Sequence, residues 1–255
     1  MRNIKITVEY DGTNYLGWQR QPQGMTIQEA IETAIERLTG EKTAVTGAGR
    51  TDAAVHALGQ TANFKTDSPL AVERLQGALN ALLPRDIAVR ETMEVSDDFN
   101  SRFSALSKHY RYTIWNHRVR PAIERAFCWH LRWELDRALA QEAAKALLGT
   151  HDFACFQSSN AEVRTTVRTV TRAEWRTDDP RRVTFDIEAD GFLYNMVRAI
   201  VGTLTDIARG KLPPDRMAEI LASKDRAMAG RTAPAQGLCL ISVAYPEEFV
   251  WRPPE

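Results

Sequence analysis

The chain has 255 residues, of which 44% are hydrophobic, so it can build a sizeable core in one large domain or two modest ones. Its 33 basic and 33 acidic residues cancel, so any surface for a polyanion must come from local segregation of charge. Cysteines occur only at 128, 155 and 239, widely spaced and without a CxxC, so neither a disulfide framework nor a zinc site is suggested.

The N-terminus lacks the apolar core of a signal peptide, and the most apolar stretch, 192–208, contains Asn195, Arg198 and Asp206. That stretch is too short and too polar to span a bilayer. The sequence therefore predicts a cytoplasmic protein without a membrane anchor.

The first hundred residues predict strands that alternate with two helices. Apolar and polar residues alternate from position 4 to position 10, as in a strand with one wet face. From Thr26 the apolar period becomes helical, with Thr26 and Glu29 spaced as a capping box and Gly40 as the stop. Further strands are predicted at 44–46, 55–64 and 87–95, and a helix that begins at Pro69 with Ser68 as its cap.

We place a domain boundary after the polar segment 97–101, with an N-terminal domain at 1–104 and a C-terminal domain at 105–255. In the strand KHYRYTIW, Tyr110 and Tyr112 share one face and His109 and Arg111 the other. The remaining predictions are helices at 137–148 (capped by Asp136), 193–204 (with Tyr194 and Arg198 one turn apart) and 213–223, and strands at 164–176, 183–189 and 238–245. The pattern predicts an α+β fold, a sheet covered on one face by helices.

The most distinctive stretch is GAGRTDAAVHALGQ, from Gly47 to Gln60. An Asp in such a turn commonly bonds its own backbone, which gives Asp52 a purely structural interpretation. A turn alone does not require Arg50, the neighbouring glycines and His56 so close to the acid. Their presence favours a functional role for Asp52. The third glycine of a GxGxxG is missing and no GK[ST] follows, so neither a dinucleotide nor a P-loop site is supported.

Three other features have two interpretations each. His151 and Asp152 are adjacent, but a polar connection explains them as well as a metal site, and we predict no metal. Tyr110 could belong to the core, as aromatic residues of an alternating strand usually do. It could instead stack on a base, because cations flank it. Arginines at 164, 168, 172 and 176 would share one face of a strand, either as a solvated face or as phosphate contacts.

Four segments, GAGRTDAAVHA, RFSALSKHYRY, GFLYNMVR and AGRTAPAQGLCLISVAY, together resemble the tRNA pseudouridine synthase A family. The opening YDGTNYLGWQRQ and the segment GTHDF extend the resemblance to nearly the whole chain, in family order. The resemblance implies two α+β halves, ferredoxin-like or RRM-like, joined into a continuous antiparallel sheet with helices on one face. It also implies a basic active-site cleft between the halves and a homodimer whose tRNA contacts both subunits.

The resemblance also implies roles for particular residues. The catalytic aspartate of the family falls on Asp52, where it acts as nucleophile, and the neighbouring arginine falls on Arg50. The active-site tyrosine falls on Tyr110, the cleft arginine on Arg198, and a leucine that packs the pocket on Leu240. Arg198 would pair with an ionised Asp52, Arg50 would hold the space left by a flipped base, and Tyr110 would stack on the uracil.

The implied reaction converts uridine to pseudouridine at positions 38, 39 and 40 of the tRNA anticodon stem-loop, without cofactor or metal. A non-catalytic RNA-binding or tRNA-chaperone protein on the same fold is the alternative, and a glycosidase-like hydrolase is a third reading. One position departs from the family pattern RTDxGVHA, because Ala54 stands where a glycine is usual. If that site needs a positive φ, alanine costs about 1 kcal/mol there.

Overall fold

A computed structural model of the chain describes residues 1–158 and 163–249, except for the side chain of Asp178. These residues form ten strands and five α-helices. The strands are β1 (Arg2–Tyr10), β2 (Thr46–Gly47), β3 (His56–Thr66), β4 (Ile87–Val95), β5 (Ser107–Asn116), β6 (Trp129–Leu131), β7 (Gly149–Asp152), β8 (Val167–Asp179), β9 (Arg182–Ala189) and β10 (Leu238–Ala244). The helices are α1 (Ile27–Thr39), α2 (Val72–Leu82), α3 (Arg137–Ala144), α4 (Met196–Ala208) and α5 (Arg216–Ser223).

The chain divides into two compact units, and the predicted α+β class is confirmed. Of the described residues, the first unit contains Met1–Ser107 together with 240–249, and the second contains those of Lys108–Cys239. The division lies three residues from the boundary predicted after residue 104. It also returns the end of the chain, which the prediction assigned to the second domain, to the first unit.

The first unit is built on strands in the order β4, β1, β3 and β10, with β2 beside β3. Apolar residues of β1 at positions 4, 6 and 8 are fully buried in its core. The predicted cap of α1 is confirmed, because Thr26 accepts a hydrogen bond from the Glu29 amide. The predicted stop is confirmed as well: Gly40 ends the helix with a φ of 76°, a conformation that favours glycine.

The predicted wet face of β1, within residues 4–10, is wrong at Lys5. Asn3 and Lys5 are both buried. The Asn3 amide donates to the carbonyls of Ser96 and Phe99, and the Lys5 ammonium lies 5.0 Å from the ring centre of Tyr245. Burial lowers the pKa of Lys5. Distant segments cover this face, so the two-residue period of the strand could not reveal it.

The helix predicted from Pro69 begins later than expected, at Val72, and Ser68 does not cap it. The Ser68 hydroxyl accepts from the Leu70 amide, 3.4 Å away, and the carbonyls of Ser68 and Leu70 both accept from the Arg2 guanidinium. These bonds hold the segment outside the helix. A local side-chain turn and a distant arginine therefore override the Ser-Pro start signal.

The second unit is built on strands in the order β5, β9, β8 and β7, with β6 parallel to β5. Its core is aromatic, with Tyr112 and Phe185 fully buried. Asp136 caps α3 as predicted, since its carboxylate accepts from the amides of Ala138 and Leu139. The α-helix ends at Ala144, and a short 3-10 segment completes the predicted element.

The prediction that four arginines share one face of a strand is wrong. Strand β8 begins at Val167, so Arg164 lies outside it. Between Val170 and Arg172 the pairing with β9 shifts register, as in a β-bulge. Val170 is buried before the shift and Ala173 after it, so the buried positions change from even to odd numbers. Residues of even number on either side of the bulge therefore lie on opposite faces.

None of the helices described within 1–158 and 163–249 is long and apolar enough to cross a membrane. The predicted helix that begins near Leu193 starts instead at Met196. The three cysteines are free, with Cys128 and Cys155 buried and Cys239 partly so, which agrees with the prediction that they form no disulfide framework.

Candidate active site

The Asp52 turn (residues 51–55) is held by its own backbone and by strand β2, which leads into it. The Val55 amide donates to the Asp52 carbonyl over 3.1 Å, and this bond closes a tight four-residue turn. Asp52 is partly exposed at the start of the turn, whereas Thr51 just before it is buried. The chain therefore fixes the main chain of this carboxylate while leaving the residue accessible.

Ala54 occupies the third position of this turn with a φ of 61°. That region of backbone space favours glycine, because a Cβ crowds the neighbouring carbonyl. The structure thus answers the question that the family pattern raised about Ala54. The turn keeps its positive φ with alanine, and we expect a residual conformational strain of about 1 kcal/mol.

The loop after β1, which we name the clamp (residues 10–18), binds the Asp52 turn at three points. The Trp18 amide donates to the Thr51 carbonyl over 3.0 Å, and the Ala54 amide donates to the Tyr15 carbonyl over 3.3 Å. The hydroxyls of Tyr10 and Thr51 lie 2.8 Å apart. These bonds attach both ends of the turn to one loop, so the position of the Asp52 backbone depends on the clamp.

Two glycines let the clamp approach so closely. A Cβ on Gly17 would lie 2.4 Å from the Thr51 carbonyl oxygen and 3.0 Å from the Asp52 carbonyl carbon, and its φ is +92°. A Cβ on Gly12 would lie 2.1 Å from the Val55 carbonyl oxygen. The clamp is a part of the site that the sequence motifs did not predict. Its two glycines beside aromatic residues are the signal that could have found it.

His56, which contributed to the sequence case for Asp52, is buried behind the turn. Its Nδ1 lies 3.1 Å from the Gly12 amide nitrogen and 3.1 Å from a carboxylate oxygen of Asp11. These contacts join β3 to the clamp. His56 therefore helps to hold the loop that holds the turn.

The other candidates of the first unit differ in exposure. Arg50 is exposed two residues before Asp52. The carbonyl of Gly49 beside it accepts a hydrogen bond of 2.9 Å from the side-chain amide of Gln60. Leu240, on strand β10, is almost completely buried. Arg50 thus projects from an anchored backbone, and Leu240 belongs to the core.

Tyr110 lies in the second unit on strand β5, with only 6% of its surface exposed. Its ring meets the ring of Phe192 edge to face, with the centres 5.1 Å apart. The next tyrosine on that face, Tyr112, donates to the Pro234 carbonyl over 2.7 Å, and burial raises its pKa. Tyr110 is therefore an oriented aromatic side chain and not a freely moving one.

Arg198 is fixed by hydrogen bonds near the beginning of α4. Its Nε donates to the Ala233 carbonyl over 2.8 Å, and its Nη1 donates to the Asn195 side chain over 2.7 Å. Asn195, the residue before the helix, has a φ of 62°. Tyr194 precedes the helix and is half exposed, so the predicted placement of Tyr194 and Arg198 one helical turn apart is wrong.

The predicted site residues thus form two groups. Asp52, Arg50 and Leu240 belong to the first unit, whereas Tyr110 and Arg198 belong to the second. Within the first group, the Asp52 turn carries Asp52 directly after the backbone that presents Arg50. The convergence of the two groups on one cleft stays a prediction.

In the described part of the chain, no group of three or more His, Cys, Asp or Glu side chains is placed to hold a metal ion. The His151 ring bonds the Leu148 carbonyl over 2.7 Å. Asp152 accepts from the Thr166 hydroxyl and pairs with Lys224 at 3.0 Å, and these bonds lower its pKa. Structural contacts therefore account for both residues.

Comparison with known proteins agrees with the motifs in both units. The sequence model of a family described as tRNA pseudouridine synthase matches residues 6–104 and 143–246. The chain belongs to the tRNA pseudouridine synthase family. It is 49% identical over 245 residues to a protein of Acetivibrio thermocellus named tRNA pseudouridine synthase A, and the match covers 96% of this chain and all of that one.

Two further relatives of the same name show the same extent of similarity. The protein of Geotalea uraniireducens is 49% identical and that of Thermoanaerobacter sp. strain X514 is 47% identical, each over 245 residues. Each match covers 96% of this chain and the full length of the relative. Membership of the tRNA pseudouridine synthase family therefore extends over both units and includes the segment that carries Asp52.

Proposed function

We propose that the protein is an isomerase that converts uridine to pseudouridine in tRNA, with Asp52 as the nucleophile. One observation carries the proposal: in a chain of the tRNA pseudouridine synthase family, Asp52 stands accessible on a turn whose backbone is clamped on both sides. A carboxylate that must meet a reacting atom benefits from such preorganisation, because small displacements of a catalytic group reduce the rate strongly.

The proposed reaction rearranges the nucleoside without gain or loss of atoms. The bond between the ribose C1′ and N1 of uracil breaks, the base turns, and C5 of the ring bonds to C1′. The proton on C5 leaves and N1 acquires one, so the sum of atoms and electrons is unchanged. No oxidant, reductant or group donor enters this balance, and an ionised carboxylate is a suitable nucleophile for it.

The other candidates have roles that fit this chemistry. The base must leave the stack to expose its sugar, which costs a few kcal/mol. Stacking on Tyr110 and occupation of the vacated space by Arg50 would offset part of that cost. The guanidinium of Arg198 would favour the ionised form of Asp52, and Leu240 would pack the pocket. These assignments rest on the resemblance and on the orientation that each side chain has within its own unit.

The substrate and the assembly follow from the family as well. We propose uridines 38, 39 and 40 of the anticodon stem-loop as the targets. A homodimer in which one tRNA contacts both subunits, located in the cytoplasm, is part of the same proposal. The relatives named tRNA pseudouridine synthase A match this chain over their full length and support tRNA as the substrate, whereas the target positions, the homodimer and the location rest on the resemblance.

Substitution of Asp52 tests the chemistry. We expect Asp52→Asn to bind unmodified tRNA with the affinity of the wild type and to form no detectable pseudouridine, because the amide keeps the shape but not the charge. The measurement is chemical mapping of pseudouridine in a tRNA transcript, together with filter binding. Wild-type product at positions 38, 39 or 40 would identify the target.

Asp67→Asn provides a control, because Asp67 is an exposed carboxylate of the same unit that pairs with the N-terminus. This variant should retain full activity. Pseudouridine formation by Asp52→Asn would contradict the role of Asp52. A wild type that binds tRNA without making pseudouridine would favour a non-catalytic RNA-binding protein, and release of free uracil would favour a hydrolase.

A further inference from the structure

The loop between β4 and β5 contains two phenylalanines with opposite environments. Phe99 is 3% exposed and packs against the ring of Tyr245, with the ring centres 5.3 Å apart. Phe103, four residues later, is 79% exposed. Full burial of such a side chain is worth about 1.5–3 kcal/mol, so the fold leaves this contribution unused at Phe103.

The exposed ring stands on a rigid support, which we name the Phe103 turn (residues 100–106). The Asn100 side chain accepts from the amides of Arg102 and Phe103, at 3.0 and 3.2 Å. The Ser104 amide donates to the Asn100 carbonyl over 2.8 Å. An Asx-type turn therefore fixes the backbone from which the ring projects.

Both ends of the Phe103 turn are anchored to the sheet of the first unit. Ser101 is fully buried, and its hydroxyl donates to the Thr46 carbonyl of β2. The Tyr245 hydroxyl donates to the Ser101 carbonyl, and the Leu106 amide donates to the Ala244 carbonyl over 2.8 Å. Since β2 leads directly into the Asp52 turn, one strand supports both the nucleophile and the exposed ring.

The surroundings of the ring favour a nucleic acid as its partner. The Arg102 guanidinium lies 5.5 Å from the ring centre, and no carboxylate in the described part of the chain forms an ion pair with it. An aromatic face beside an uncompensated cation binds unstacked bases and their phosphates. The side chains on either side of the ring, Arg102 and Ser104, are polar, and Leu106 is the other exposed apolar side chain of the turn. These two apolar side chains together offer far less than the roughly 800 Å² on each partner that a stable protein interface needs.

We infer that Phe103 is a stacking platform for an unpaired nucleobase of the RNA substrate, with Arg102 contacting the adjacent phosphate. The inference rests on the proposed function for the identity of that RNA. Phe103 binds the substrate outside the reacting atoms, so it contributes to affinity and not to the chemical step.

The test compares three variants that separate stacking from apolar contact. Phe103→Ala should weaken binding of an unmodified tRNA transcript about 5- to 100-fold at a fixed salt concentration. Phe103→Leu should weaken it to a similar extent, because leucine is apolar but has no π-face. Phe103→Trp should stay within about threefold of the wild type. The single-turnover rate at saturating enzyme should be unchanged in all three variants.

Ile123→Ala is the control, since Ile123 is 90% exposed on the second unit and should not affect tRNA affinity. Wild-type affinity for Phe103→Ala, or for Phe103→Leu, would overturn the inference. Loss of the native subunit assembly in Phe103→Ala, measured by light scattering, would instead assign the ring to a contact between copies. Absence of pseudouridine with the wild type would refute the proposed function alone, because the affinities are measured independently of turnover.

Discussion

Ala54 illustrates how a single residue can add strain next to a working group. It adopts a φ of 61° at the third position of the Asp52 turn, and its amide donates to the Tyr15 carbonyl. The main-chain bonds of the turn and the clamp impose this conformation. A glycine would adopt it without the steric conflict of a Cβ, although it loses more backbone entropy on folding.

We predict that Ala54→Gly stabilises the protein by about 0.5–1 kcal/mol, because relief of the positive φ exceeds the added entropy loss. The free energy of unfolding in urea measures this. Ala53→Gly is the matched control: Ala53 is exposed in the same turn without a positive φ, so glycine there should destabilise. A destabilising effect of Ala54→Gly would show that the conformation carries no strain.

At the scale of elements, the clamp and the Asp52 turn form one unit of backbone. Trp18 and Tyr15 bond the turn directly, and the ring of Trp18 lies under Gly47, where a Cβ would approach it to 2.5 Å. Because Gly17 touches the backbone of Thr51 and Asp52, any side chain at position 17 must displace the turn. The clamp therefore fixes the backbone position from which the Asp52 carboxylate projects.

We predict that Gly17→Ala lowers the single-turnover rate of pseudouridine formation at least tenfold while the affinity for tRNA changes little. The added Cβ would lie 2.4 Å from a backbone oxygen, so the turn has to move, and Asp52, the proposed nucleophile, would react more slowly once displaced. The single-turnover rate is measured at saturating enzyme, and the affinity for tRNA is measured in a separate binding titration. A lower rate with an unchanged affinity separates this effect from misfolding.

Gly40→Ala is the control for backbone strain. Gly40 also has a positive φ, but a Cβ there would meet nothing within 4 Å. This variant should lose stability and keep the wild-type rate. An equal loss of rate in both variants would attribute the effect to general destabilisation.

At the scale of the whole molecule, pH acts on stability through a carboxylate in the sheet of the second unit. Asp186 is fully buried on β9. Its Oδ1 lies 2.5 Å from Nε2 of His109 and accepts a hydrogen bond of 3.0 Å from Nε of Arg111, both on β5. Burial by itself raises the pKa of Asp186, but the hydrogen bonds and charges of these two partners together lower it. Glu174 of β8 is the residue paired with Asp186 on its other side.

Because the folded-state pKa of Asp186 is lowered, the ionised group stabilises the fold above its ordinary pKa of about 4. That contribution disappears as the pH falls through the folded-state value. We predict that Asp186→Asn lowers the free energy of unfolding at pH 7 by about 2 kcal/mol, since it weakens the charge-assisted hydrogen bonds to the partly buried His109 and Arg111. The loss should shrink as the pH falls below about 4, because the carboxyl is protonated first in the unfolded state and, at lower pH, in the folded state as well.

Urea denaturation at a series of pH values measures both effects. Asp97→Asn replaces a well-exposed carboxylate that pairs with Lys65 and should leave the pH profile unchanged. A pH-independent loss in Asp186→Asn would mean that packing, and not the charge of Asp186, stabilises the sheet.

Local patterns in the sequence were sufficient for several elements and for the identity of the nucleophile candidate. The capping of α1 by Thr26 and the strand at Ile87–Val95 agree with prediction, because the signals lie within a few residues of the structure they specify. The motifs around Asp52 and Arg198 indicated the family, which the full-length relatives confirm. Such signals survive because each acts through neighbouring residues of the chain.

Contacts between distant segments determine which faces of the strands are buried and where the helices begin. Lys5 is buried by residues far along the chain, the Arg2 side chain holds Ser68 out of a helix, and a bulge after Val170 reverses the faces of β8. None of these contacts leaves a trace in local periodicity, because the partners are distant in sequence.

The Asp52 turn shows both contributions. Residue identity alone places an acid, an arginine and glycines together in a motif of the tRNA pseudouridine synthase family. Only the tertiary structure decided that the clamp, through Gly17 and Trp18, holds that turn and that Ala54 bears its positive φ. The physical reason is that residue identity supplies the chemical group, whereas backbone contacts between distant segments fix where the group stands.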